Sequence, residues 1–78
     1  MTTSVITSTG IRSIEFINNT VMFVHLDNDR TFIVTLDKFP EIKNLSTSQK
    51  KEYEIIDEHY LSFLAIDEVY SINDLLGI

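Results

Sequence analysis

Apolar side chains alternate with a period of two over residues 11–37, and this alternation constrains the fold more than any other feature of the chain. The pattern falls into three segments, 11–17, 20–27 and 31–37, separated by Asn18-Asn19 and by residues 27–29. Asparagine and aspartate suit tight hairpin turns because they tolerate positive φ angles. We therefore predict a three-stranded antiparallel meander with one face of each strand in the core. The predicted core residues are Ile14, Phe16, Met22, Val24, Leu26, Phe32, Val34 and Leu36.

Short helical turns are predicted after residue 38. Pro40 and Glu41 suit a first helical turn, which would continue to residue 45 and pack Phe39, Ile42 and Leu45 inward. Ser46 and Gln49 match the spacing of a capping box, which predicts a second helical turn through Lys51.

The sequence pattern of the C-terminal part is compatible with both helices and strands. Residues 53–57 could continue the helix or begin a strand, residues 58–59 indicate a turn, and residues 60–66 have strand composition. A last short helix over 72–76 is predicted from Ser71 at its start and Gly77 at its end. The expected fold class is α+β, with the three-stranded antiparallel meander followed by short helical turns, one or two further strands and a short C-terminal helix. Residues 1–10 are expected to form a flexible N-terminal arm and residues 11–78 a single domain.

Charge and composition exclude several classes of function. The 78 residues carry a formal net charge of −6 and no cysteine. An acidic chain is a poor direct ligand for nucleic acid or an anionic membrane, which bind basic patches. No apolar run reaches the length of a membrane span and no signal peptide is evident, so a cytoplasmic location is expected. We expect no cofactor and no metal, because no glycine-rich phosphate loop and no ladder of metal ligands is present.

The candidates for catalysis are weak. Asp67 and Glu68 are adjacent, so in an extended segment their side chains point in opposite directions, and a bracing role for Asp67 before Ser71 is favoured. His25 and His59 lie far apart in sequence and form no metal-binding pair. We therefore expect no enzyme. The alternative is a small-ligand binder or minor enzyme that uses Asp67, Glu68 and His59.

Acidic residues are concentrated in residues 52–78, which contain seven acids and neither lysine nor arginine. The first interpretation is a solvated face that keeps a small domain soluble. The second is a charged surface that steers a basic partner protein, for which Asp57, Glu58, Asp67 and Glu68 are the candidate residues.

The second face of the meander is half apolar. Val21, Phe23 and Ile33 lie opposite the predicted core face, with Ile17 as a neighbour. The later strands could cover this face, a homodimer could bury it, or a different partner could use it. We select Val21, Phe23 and Ile33 as candidate anchors for a partner protein, which is either a second copy or a basic hetero-partner.

Three stretches resemble the bacterial family called domain of unknown function 2442. They are the strand-turn-strand of residues 21–37, residues 37–42 with the polar turn 45–51, and residues 66–77 with the sequence Ile-Asp-Glu-Val-Tyr-Ser-Ile-Asn-Asp-Leu-Leu-Gly. The resemblance spans roughly residues 11–77. The sequence departs from the family pattern at Tyr53 and Phe63, where tryptophan is common, and at Asp29-Arg30, where a turn glycine is expected.

The resemblance implies a small α+β domain without an established enzymatic activity. Members resemble stand-alone proteins beside a toxin-like partner, or domains attached to a DNA-binding helix-turn-helix. The function expected from these features is a small acidic, non-catalytic protein that acts by protein–protein interaction, as an antitoxin-like or regulatory partner of a neighbouring-gene product.

Overall fold

The meander predicted from the alternating pattern forms an N-terminal sheet. A computed structural model describes residues 9–77 of the chain. The strands are β1 (Ile11–Phe16), β2 (Val21–Leu26) and β3 (Thr31–Thr35), paired antiparallel in the order β1-β2-β3. Asn18 stabilises the first turn, because its Oδ1 accepts hydrogen bonds from the backbone N–H groups of Thr20 and Val21. The predicted arm comprises residues 1–10, of which 1–8 lie outside the described residues, so the arm stays a prediction; Gly10 is buried.

Three short helical segments connect the two halves of the chain. A single 3-10 turn, Leu36–Lys38, precedes α1 (Pro40–Lys43) and α2 (Thr47–Lys51). Proline occupies the first turn of α1, as predicted. The predicted capping box of α2 is present, since the Ser46 hydroxyl accepts from the Gln49 backbone N–H and the Gln49 side chain accepts from the Ser46 backbone N–H.

A second antiparallel sheet follows. Its strands are β4 (Tyr53–Ile56), β5 (Tyr60–Phe63) and β6 (Val69–Ser71), in the order β4-β5-β6. The open question about residues 53–57 is resolved as a strand over 53–56. The α+β fold class is confirmed, with three further strands after the helical turns where one or two were expected. Because β6 has only three residues, its pattern is too short to indicate a strand in the sequence.

The chain ends in α3 (Ile72–Leu76), which has the predicted boundaries. Its capping box pairs Ser71 with Asp74, at 3.0 Å in both directions. Gly77 closes the helix in the left-handed conformation, with φ of 81°, which a residue without Cβ adopts at little cost.

The core lies between the inner face of the N-terminal sheet and the second sheet, with α1 and α3 closing it. Met22, Val24 and Leu36 are fully buried, and so are Ile42 of α1 and Leu61 of β5. Leu26 and Phe32 pack against this core while remaining partly exposed. The complete buried apolar set is Ile11, Ile14, Met22, Val24, Val34, Leu36, Ile42, Leu61, Phe63, Tyr70 and Leu75. One face of the N-terminal sheet is therefore buried in the core, and its other face lies outside the core.

The two sheets are joined along β1. The backbone N–H of Ile11 donates to the carbonyl of Glu58 at 2.6 Å, and that of Ile14 donates to the Tyr53 hydroxyl at 3.5 Å. No helix within residues 9–77 is long and apolar enough to cross a membrane.

Candidate functional site

The face of the N-terminal sheet that points away from the core is here called the outer face. The strand register arranges its side chains in three rows that run across the sheet. The middle row is Glu15, Phe23 and Ile33, one residue from each strand. The row on one side is Ser13, His25 and Thr31, and the row on the other side is Ile17, Val21 and Thr35.

Four of these side chains form one apolar patch, defined as Ile17, Val21, Phe23 and Ile33. Ile33 is 65% exposed and Ile17 is 47% exposed, while Val21 and Phe23 are half-buried by their neighbours. Val21, Phe23 and Ile33 therefore share one face, as the alternation predicted. Because the second sheet packs on the opposite face, none of the described residues covers the patch from above.

The backbone of β3 adds a strand edge without a strand partner beside the patch, and Leu75, Leu76 and Gly77 lie next to this edge around Ile33. The bonds from Leu36 N–H to the Thr20 carbonyl and from Leu26 N–H to the Arg30 carbonyl identify the even-numbered residues of β3 as the ones bonded to β2. In an antiparallel pair the hydrogen-bonding direction alternates along the strand. The N–H and C=O groups of Ile33 therefore point away from β2, at the free edge of the sheet.

A hydrogen-bonded polar row borders the apolar patch. His25 Nε2 lies 3.1 Å from Glu15 Oε1, and His25 Nδ1 lies 2.9 Å from Thr31 Oγ1. The Phe23 ring meets the imidazole edge-on, with centroids 6.3 Å apart. Since both imidazole nitrogens have partners, His25 orders this side of the outer face.

Asp57 and Glu58 lie in the β4–β5 turn, and the structure brings them close to acids of the N-terminal half. A Cβ on Gly10 would lie 2.8 Å from Glu58 Cβ and 3.2 Å from Asp27 Oδ2, so these two acids flank the same glycine. Asp29 follows in the β2–β3 turn, where Arg12 pairs with it at 3.1 Å. We call Asp27, Asp29, Asp57 and Glu58 the acidic end.

Asp67 and Glu68 lie at the opposite end of β5, in the turn that leads to β6. The pairing of Tyr60 with Ser71 and of Ser62 with Val69 separates them from His59 by about 13 Å of strand. The four predicted acids therefore form two separate groups. For the same reason Asp67, Glu68 and His59 do not converge on one point.

Sequence reasoning missed one polar contact in the core. The Tyr70 hydroxyl donates to Glu41 Oε2 at 2.9 Å, and the Tyr70 ring meets Phe39 edge-on at 5.7 Å. Burial, followed by the hydrogen bond to the Glu41 carboxylate, raises the pKa of Tyr70 well above its ordinary value. The contact joins α1 to β6, so its role is to hold the fold together. No sequence signal relates two residues 29 positions apart.

Within the described range, no three histidine, aspartate or glutamate side chains lie close enough to hold a metal ion. The sequence model of a family described as "Protein of unknown function (DUF2442)" matches residues 11–77. No curated protein matches the chain, and no solved structure does so.

Proposed function

The chain belongs to the DUF2442 family, and on that premise we propose that it is a non-catalytic protein that binds a basic partner protein through the apolar patch. The single observation that supports this proposal most strongly is the exposure of Ile33, at 65%, on the face of the sheet that points away from the core. Single exposed apolar residues are common, but Ile33 is contiguous with Phe23, Val21 and Ile17. A contiguous apolar patch with a polar border is typical of a protein-interaction surface.

The free edge of β3 gives the patch a second mode of contact. A partner strand that added to β3 would bond to the backbone of Ile33 while its side chains met the apolar patch. Backbone hydrogen bonds give such contacts affinity, and side-chain pockets give them specificity.

Charge favours a basic partner over a second copy. Two chains that each carry −6 repel one another, whereas a basic protein is attracted over several ångströms. Glu15 borders the patch, and the acidic end lies at the same end of the sheet as the His25 row. The family resemblance implies a toxin-like neighbouring-gene product as partner, and the charge of this chain adds that this partner is basic, which would make this chain an antitoxin-like protein.

The alternative of a ligand site or minor enzyme built from Asp67, Glu68 and His59 has no geometric support. The carboxylates and the imidazole lie at opposite ends of β5, so they cannot act on one substrate atom. We keep the non-catalytic proposal as the function of the chain.

The test is co-expression with the product of the neighbouring reading frame, followed by measurement of mass in solution and of affinity at several salt concentrations. We expect a stoichiometric hetero-complex whose affinity falls as salt rises, because the partner is basic. Ile33→Thr should weaken the complex at least about tenfold, as expected for a central apolar anchor.

Leu64→Thr is the matched control. Leu64 is an equally apolar side chain that is 76% exposed in the β5–β6 turn, away from the patch, and its loss should leave the affinity unchanged. Equal weakening by both variants, or a complex insensitive to Ile33→Thr, would contradict the proposal. If the chain alone forms a homodimer and Ile33→Thr dissociates it, the partner of the apolar patch is a second copy of the chain and not a basic protein.

A further inference from the structure

An open groove of about 350 Å³ lies on the other side of β1 from the outer face. It is bounded by the end of β1, the β1–β2 turn, α2 and β4. Its volume is at the lower end of the range for small-molecule sites in proteins. The side chains that characterise it are two aromatic rings, two amides and two ammonium groups, namely Phe16, Tyr53, Asn18, Asn19, Lys50 and Lys51.

The aromatic walls of the groove are held from behind. Phe16 and Tyr53 both pack against the buried ring of Phe63, with centroid distances of 6.2 and 6.3 Å. The Tyr53 hydroxyl also accepts the hydrogen bond from Ile14 N–H. Two rings fixed by the core present flat apolar surface at little entropic cost, and this suits a planar ligand.

The groove is lined by two positively charged side chains and by no acid, although Glu52 follows directly after Lys51. Arg12 and Lys43 form ion pairs with Asp29 and Asp37, whereas none of the ion pairs described for residues 9–77 includes Lys50 or Lys51. Lys50 Nζ instead lies 5.3 Å from the centroid of the Phe16 ring, in a cation–π contact. None of the residues that line the groove is acidic, although the chain has 12 acids and 6 bases.

The β1–β2 turn supplies neutral donors at the same place. Asn18 Oδ1 accepts from Thr20 N–H, Thr20 Oγ1–H and Val21 N–H at 2.7–3.0 Å. These three bonds fix the orientation of the amide, and its Nδ2 group has no partner among the described residues. An amide donor with a fixed orientation beside two ammonium groups favours an anionic oxygen as ligand.

We propose that this groove binds a small planar organic anion, whose ring lies against Phe16 and Tyr53 and whose carboxylate or phosphate is held by Lys50 and Lys51. The ammonium group of Lys50 exchanges part of its cation–π contact for a charge-assisted hydrogen bond to the anion. The proposal is independent of the apolar patch, because the groove and the outer face lie on opposite sides of β1.

The experiment titrates the full ¹⁵N-labelled chain with three probes of one shape: 2-naphthoate, 2-naphthyl phosphate and the neutral 2-naphthamide. Saturable shifts of the backbone amides of Asn18, Asn19, Lys50, Lys51 and Tyr53 are expected with the anions. Both anions should bind at least about tenfold more tightly than the amide, and their ranking identifies carboxylate or phosphate as the preferred group.

Lys50→Gln should weaken anion binding about fivefold or more, while the melting temperature stays within a few degrees because Lys50 is only half-buried and forms no described ion pair. Lys38→Gln is the matched control, since it removes the same charge from the 3-10 turn, outside the groove. The proposal is overturned if the amide binds as tightly as the anions, or if both lysine variants weaken binding equally. Absence of saturation by about 10 mM probe would overturn it too.

Discussion

Threonine substitutions at two neighbouring residues of β3 should separate the outer face from the core. Ile33 is 65% exposed and Val34 is 2% exposed, and they point to opposite sides of the sheet. Ile33→Thr removes about two carbons from the side chain, and burying one carbon fully is worth about 0.8 kcal/mol. Because only about a third of the Ile33 side chain is buried, the substitution should cost about 0.5 kcal/mol of folding free energy. Threonine keeps the β-branch, so strand propensity contributes little to the change.

Val34→Thr places a hydroxyl group among fully buried apolar side chains, and it should cost about 1–3 kcal/mol. For a domain of this size, 1 kcal/mol corresponds to a shift in melting temperature of about 4–8 °C. The expected result is a loss of about 2–4 °C for Ile33→Thr and about two to six times as much for Val34→Thr.

Urea unfolding followed by circular dichroism gives both free energies of unfolding, and should be repeated at low and high protein concentration. Equal destabilisation by the two variants at every concentration would refute the reasoning, because it would mean that the chain itself buries Ile33. A large cost for Ile33→Thr at high concentration alone would indicate burial by a second copy.

Two further changes test other parts of the structure. Tyr70→Phe should lower the free energy of unfolding by about 1 kcal/mol, through loss of the bond to Glu41. Because the pKa of Tyr70 is raised in the folded chain, the unfolded state loses its proton at lower pH. The free energy of unfolding should therefore fall by about 1.4 kcal/mol per pH unit above pH 10. Urea unfolding at alkaline pH should show this slope in the parent chain and not in Tyr70→Phe. Glu58→Gly should raise the free energy of unfolding by about 0.5–1 kcal/mol, because Glu58 has a φ of 66°, which glycine adopts more easily. Thermal melts of this variant, with Glu54→Gly as the control, would measure the gain.

The local structure could be predicted because it depends on neighbouring residues. The period of two identifies three strands, and the capping boxes begun by Ser46 and Ser71 set the starts of two helices. Residues 53–56 stayed ambiguous because their apolar pair Ile55-Ile56 suits a buried strand and a helix equally. These residues form a strand because they pair with β5, and this pairing depends on tertiary structure that the local sequence does not show.

The placement of the acids could not be predicted from their positions along the chain. Sequence alone suggests one acidic C-terminal third, but β5 separates Asp57 and Glu58 from Asp67 and Glu68. Only the contact between β1 and the β4–β5 turn brings Asp27 next to Glu58. The groove was missed for the same reason, since Asn18 and Lys50 are 32 positions apart and meet only when α2 packs beside β1.

The backbone at the acidic end bears on whether its acids bind a partner or only keep the chain in solution. Asp29, Asp57 and Glu58 have φ angles of 68°, 50° and 66°, in the left-handed region that glycine enters freely. Aspartate tolerates this region in turns, whereas Glu58 adopts it at a cost of about 1 kcal/mol. Solubility needs no acid at a strained position, because an acid on any exposed strand residue serves it equally well. Glu58 stands at a position where glycine would stabilise the fold, and this supports the proposal that its charge serves binding. Glu58→Gly should accordingly make the chain more stable while weakening the salt dependence of its association with a basic partner, and a stabilised variant with unchanged salt dependence would leave the acidic end with a solubilising role only.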